Sequence, residues 1–159
     1  MAFKNPTVDY AAKLDEIRGI YLHSTPRQRY KVIWDRIDDD PYNGPNRLVT
    51  MVSAVEAYLR CLLVHASSPD EAGRRAKYQQ IRHAKVEEML AGVLAHYEIT
   101  DESEYFPGDT LELLGYAVEY RNMLVHDCTY LGGDKFPSMI QACEEVLCEL
   151  ARLSGVSKE

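Results

Sequence analysis

The stretch from Asn46 to Ala66 most limits what this chain can fold into. Leu48, Val52, Val55, Leu59 and Leu62 recur there every three or four residues, which draws one apolar stripe along a helix. Such a helix has to be covered by other elements. The rest of the sequence offers helices for this and nothing else, because no segment alternates apolar and polar residues over the length of a strand.

Breakers set the other boundaries. Asn5-Pro6-Thr7 precedes a helical stretch from about Val8 to Leu22. Thr25-Pro26 marks a helix start, a capping hydroxyl followed by a residue suited to the first turn. That helix carries Tyr30, Ile33, Trp34 and Ile37 at helical spacing and ends in Asp38-Asp39-Asp40-Pro41. Ser68-Pro69-Asp70-Glu71 opens a helix running to about Tyr97, with a kink expected near Gly73 or around Arg82. Thr100 to Gly108 is expected to be a loop. Asp109 is expected to cap a helix over Thr110 to His126, and a turn-rich loop follows from Cys128 to Lys135. A last helix runs from Pro137 to Leu153, with a frayed tail from Ser154. The fold class is therefore all-α: a four-helix up-and-down bundle from 46–66, 69–97, 110–126 and 137–153, with two additional N-terminal helices.

The 159 residues fit one domain, 1–159, in which 1–42 is a helical extension and 46–153 the bundle. The net charge of −7 means that any nucleic-acid contact has to use a local basic patch or a composite surface. Cys61, Cys128, Cys143 and Cys148 form no CxxC pair and have no histidine at finger spacing, so neither a metal site nor a cofactor is expected. Met1 to Tyr10 lacks the pattern of a signal peptide. The apolar stretches fall short of a spanning helix, and a cytoplasmic protein without membrane contact is expected.

Some residues do not suit a plain bundle. The stripe Leu111, Leu114, Val118 continues into Arg121 and then Val125, so a guanidinium stands where an apolar side chain is due. It either snorkels outward along its stem or meets an acid or a phosphate. His126 lies about 140° round an ideal helix from Arg121, whereas Glu119, Asn122 and His126 share a face. On its own, His126 reads as a cation at a helix C-terminus. Glu56, amid Val52, Leu59 and Leu63, either pairs with Arg60 one turn on or reaches across to Arg121. Arg74, Arg75, Lys77, Arg82, His83 and Lys85 are either a solvated face or a patch that tracks phosphates.

With these residues in view, the chain resembles the HEPN superfamily of helical, nucleotide-associated domains. Val52 to Leu63 looks like the early core helix of that family, with Glu56 and Arg60 in place. Arg121-Asn-Met-Leu-Val-His126 matches its R-x4-H motif, with a polar residue directly after the arginine. Ala142 to Leu147 resembles its last helix, so the likeness covers roughly 46–153 and leaves 1–42 outside. The resemblance implies a homodimer in which two motifs face each other across a two-fold axis. It implies a metal-independent endoribonuclease of a toxin–antitoxin or antiviral defence system. Arg121, His126 and Asn122 would be catalytic, and Glu56 and Glu119 supporting. Arg74, Arg75, Lys77, Arg82 and Lys85 would bind RNA. A possible partner is an antitoxin, of nucleotidyltransferase or another type. Members neutralised by a nucleotidyltransferase carry R-x4-H-x-Y; here that last position is Cys128 and the nearest tyrosine is Tyr130. The alternative is a non-catalytic module of the same fold that binds a nucleotide, RNA or a partner protein. An unrelated bundle carrying the motif by accident is the remaining reading.

Overall fold

A computed structural model describes residues 4–42, 44–129 and 136–156. Among these residues it contains eight helices and no strand: α1 (Tyr10–His23), α2 (Pro26–Asp38), α3 (Pro45–Ser67), α4 (Glu71–Ile81), α5 (Val86–His96), α6 (Glu102–Tyr105), α7 (Thr110–His126) and α8 (Phe136–Leu153). The all-helical class expected from the sequence holds. The helix boundaries follow local chemistry where that chemistry is strong. Thr25 accepts from the Gln28 amide while Gln28 Oε1 accepts from the Thr25 amide at 2.9 Å, a reciprocal capping box at the start of α2.

α3 is the centre. α2, α4, α5, α7 and α8 all pack against it, α7 also packs on α8, and α1 reaches α4. Leu48, Met51, Val52, Val55 and Leu59 are fully buried, so the apolar stripe of this helix is the axis of the core. By length and hydropathy α3 does pass as a possible membrane span, contrary to the expectation that every apolar stretch is too short. Glu56 and Arg60 sit midway along it, and its apolar face is spent on the surrounding helices. α2 adds Tyr30, Ile33, Trp34 and Ile37 to the same core. A second, smaller cluster of Leu22, Val64 and Ile81 ties the end of α1 to α3 and α4.

Several expectations are corrected. The long helix over 69–97 is two helices, with a turn at Arg82–Lys85 where the Ala84 amide bonds the Ile81 carbonyl at 2.9 Å. Both halves press apolar residues on α3, which a straight helix could not do. Gly73 is not a kink. It sits in the first turn of α4, and a Cβ there would lie 2.2 Å from Ser68 Oγ, so the side chain that closes this turn excludes anything larger. The loop over 100–108 contains α6, capped by Asp101, whose carboxylate accepts from the Glu104 amide at 3.1 Å. Asp109 stands before α7 without a side-chain cap bond. Ser154 is anchored rather than frayed: its hydroxyl meets the buried Tyr58 hydroxyl at 2.7 Å and donates to the Leu150 carbonyl. Of the three cysteines on helices, Cys61 and Cys143 are buried and Cys148 is exposed. The loop over 130–135, with Tyr130 in it, lies outside the described residues.

His65 on α3 gives a stability test. Its Nε2 bonds the Ser24 carbonyl between α1 and α2. Burial lowers its pKa below the usual 6.5; the Ser24 carbonyl pulls it partly back, and Arg74 lowers it again. The imidazole is thus neutral in the fold and protonates more readily once unfolded. Its share of stability is complete above about pH 6.5 and is lost as pH falls through the folded-state value. Urea titrations between about pH 7.5 and about pH 5 are expected to show stability dropping on the acid side. His65→Gln should flatten that slope, and an unchanged slope would place its origin elsewhere.

Candidate functional site

The buried face of α7 is not the stripe the spacing suggested. Leu114, Ala117 and Leu124 are buried, Leu111 and Val118 are half-buried, and Val125 is exposed. Arg121 lies seven residues after Leu114, four after Ala117 and three before Leu124, within about 60° of each around the helix. The guanidinium therefore stands in the middle of the buried face.

Its countercharge comes from α3. Arg121 Nη2 lies 2.5 Å from Glu56 Oε1, with the two side chains 17% and 19% exposed. The atoms are close without being aligned for a hydrogen bond, since this oxygen has no hydrogen-bond partner. Glu56 thus reaches across the helices to Arg121 instead of pairing with Arg60. Arg121 Nε also donates to Asn122 Oδ1 at 2.8 Å. On the α8 side is Cys143, whose thiol burial pushes up to about 12 while Arg121 draws it back. An arginine held at two of its nitrogens is a fixed, shallow positive group rather than a mobile surface charge.

His126 is exposed at the end of α7, one turn beyond Asn122 and on the same side of the helix. Tyr116 and Met123, 50% and 47% exposed, lie within about 80° of His126 around the helix. Arg121 and His126 stand about 140° apart around α7.

A cleft of about 680 Å³ opens beside this helix, between α5, α6 and α7, with Glu56 and Arg121 at one end. Val86, Leu90, Leu111, Leu114 and Val118 make its apolar lining. Glu87, Glu102, Glu112 and Glu119 line it too, with Lys85, His83 and Asn122. Of the residues expected at a site, the cleft brings together Glu56, Glu119, Arg121, Asn122 and Lys85; His126 is not in its lining. Sequence reasoning missed Glu87, Glu102 and Glu112. They stand in the first turns of α5, α6 and α7, where acids suit the helix dipole, so each has a local explanation. The signal that was available is the recurrence of acids between Glu87 and Glu112; the helix starts at 86 and 102 that account for two of them were not read from the sequence.

Arg74, Arg75, Lys77 and Arg82 are not in the lining of this cleft. Arg75 is held by Glu71 and Asp15, each at 3.2 Å. Arg74 Nε donates to the Ser68 carbonyl at 3.0 Å, and Arg82 Nε to His83 Nε2 at 3.1 Å. Lys77 is half-buried on α4 and Lys85 is exposed at the start of α5. Two of the five cations expected to contact RNA are thus engaged in closing the α4 turn and tying it to α1. Among the described residues, no group of three or more histidine, cysteine or acidic side chains is placed to hold a metal ion. Comparison with family models, with curated proteins and with solved structures gave no match to this chain.

Proposed function

We propose that this chain is a metal-independent endoribonuclease of the HEPN type, acting as a homodimer in a toxin–antitoxin or antiviral defence system. The observation that carries the reading is the Glu56–Arg121 pair. It joins the two motif-bearing helices and holds a guanidinium at the edge of the surface, next to Asn122 and one turn before His126. In this reading α3, the α4–α5 pair, α7 and α8 form the four-helix unit, and α1 and α2 are additions to it.

One chain presents an arginine and a histidine on different sides of α7, so the site is shared. Tyr116 and Met123 are large, exposed and on the same side of α7 as His126, and they give a second copy an apolar surface to cover. Across a two-fold axis, His126 of one copy approaches Arg121 of the other. RNA brings its own nucleophile. The neutral imidazole of His126 takes the proton of a 2′-hydroxyl. That oxygen attacks the adjacent phosphorus, and the bond to the 5′-oxygen breaks. The 5′-oxygen takes its proton from water or from the second imidazole in its protonated form. Arg121 offsets the charge that builds on the phosphorane, and Asn122 orients the phosphate. The products are a 2′,3′-cyclic phosphate and a 5′-hydroxyl.

The test is incubation of the purified protein with a mixed RNA pool in excess EDTA. Fragments ending in cyclic phosphate are expected. Cleavage that stops with chelator and returns with magnesium would overturn the mechanism. The second reading, a non-catalytic module of the same fold, is favoured by the carboxylates around the cleft, which repel a polyanion. RNA left intact under all conditions would decide for it.

A further inference from the structure

We propose that the cleft between α5, α6 and α7 is a docking site for a basic, amphipathic helix of a partner protein. The cleft has two chemistries. Its lining is apolar, from Val86 and Leu90 on α5 to Leu111, Leu114 and Val118 on α7. Five carboxylates line it as well, Glu56, Glu87, Glu102, Glu112 and Glu119. Arg121 neutralises Glu56, and Lys85 can offset one of the other four. Three carboxylates are then left without a lysine or arginine partner among the residues lining this apolar trough.

That combination selects its occupant. An RNA strand meets the wrong sign of charge, and an anionic lipid surface meets it too. An apolar ligand without charge leaves the carboxylates unused. A helix with an apolar stripe and flanking lysines or arginines satisfies both parts. The dimensions agree. The lining on α7 runs from Leu111 to Asn122, which is about 16 Å of helix, or three turns. Spread over that length, the volume gives a mean cross-section of about 40 Å². This is too narrow to swallow a helix of about 10 Å diameter, and it suits one row of its side chains at i, i+3/i+4 and i+7. Glu87, Glu112 and Glu119 are exposed and so can meet the cationic flanks.

The proposal does not rest on the nuclease reading, and its test does not use RNA cleavage. The probe is a labelled peptide of about four helical turns with leucine on one stripe and lysine elsewhere. Anisotropy titration at low salt is expected to give saturable binding that weakens as salt rises. Glu87→Lys/Glu112→Lys should weaken it at least about tenfold. Glu16→Lys/Asp35→Lys changes the net charge equally on the far helices α1 and α2 and should leave binding within about twofold. Two further peptides guard against a misfolded variant. One replaces leucine by serine and the other lysine by glutamate, and neither should bind the unaltered protein. The proposal is overturned if the leucine–lysine peptide does not saturate, if both double variants weaken it alike, or if the serine peptide binds as well. Loss of RNA cleavage with peptide binding intact would count against the nuclease alone.

Discussion

Glu56→Leu is expected to destabilise the protein by about 2–3 kcal/mol, and adding Arg121→Leu is expected to restore most of the loss. The single replacement leaves a guanidinium on the buried face of α7 without its countercharge. Breaking a fully buried pair in this way costs about 3–5 kcal/mol. An exposed pair is worth less than about 1 kcal/mol. Glu56 and Arg121 are less than one-fifth exposed, which places the effect between these limits and nearer the upper one. In the double variant two leucines face each other among Leu114, Ala117 and Leu124 on α7 and the core side of α3, where apolar contact replaces the pair. Chemical denaturation of the wild type, both single variants and the double variant closes the cycle. A double variant whose loss of stability equals the sum of the two single losses would mean that the two side chains stabilise the fold independently. RNA cleavage should not return with stability. A stable double variant that lacks activity separates the site's chemistry from its structural role, which neither single variant can do.

His126→Ala is expected to reduce RNA cleavage by about 10²–10⁴-fold, the range for loss of a general base, with stability almost unchanged because the imidazole is exposed. This chain and the stable Glu56→Leu/Arg121→Leu chain form a complementing pair. Each is inactive as a homodimer. Their mixed dimer contains one intact cross-chain combination, a His126 from the second chain and an Arg121 from the first. Recovery of part of the activity after co-refolding would place the two residues in one site across the interface. If mixed dimers form and stay inactive, the site is either within one chain or needs both copies of each residue. A tandem dimer carrying all three replacements in one half separates these cases, since it retains one complete chain. Light scattering that finds a monomer at tens of micromolar would remove the shared site altogether.

Much of the fold was legible because its determinants lie within a few residues of one another. The capping box at Thr25 and Gln28 depends only on a hydroxyl, an amide and a spacing of three, so the start of α2 falls where local chemistry puts it. The stripe on α3 marks a helix that other elements have to cover, because an apolar face of Leu48, Val52, Val55 and Leu59 cannot stay in water; that five helices cover it was decided by the packing. The motif from Arg121 to His126 and the oddity of Arg121 on an apolar face were also visible. The reason given for the oddity was not, since the buried stripe on α7 runs through Ala117 and Leu124 instead of Val118 and Val125.

Other features depended on which helices meet. Arg82 was one of two places where a kink was expected, but that 69–97 divides there into two separate helices, both packed on α3, was set by tertiary contacts. Ser154 reads as the start of a loose tail until Tyr58, ninety-six residues earlier, brings a hydroxyl within 2.7 Å. Glu56 had a partner available one turn away in Arg60 and another some sixty-five positions on in Arg121, and sequence spacing favours the nearer. The packing of α7 on α3 decided for the farther one, because a half-buried guanidinium needs a carboxylate more than an intrahelical pair does. The cleft is the clearest case of a feature made only by tertiary structure. Glu87, Glu102 and Glu112 each have a sufficient reason to be where they are as first-turn acids of their own helices, and only the convergence of three helix starts gathers those charges around one apolar trough.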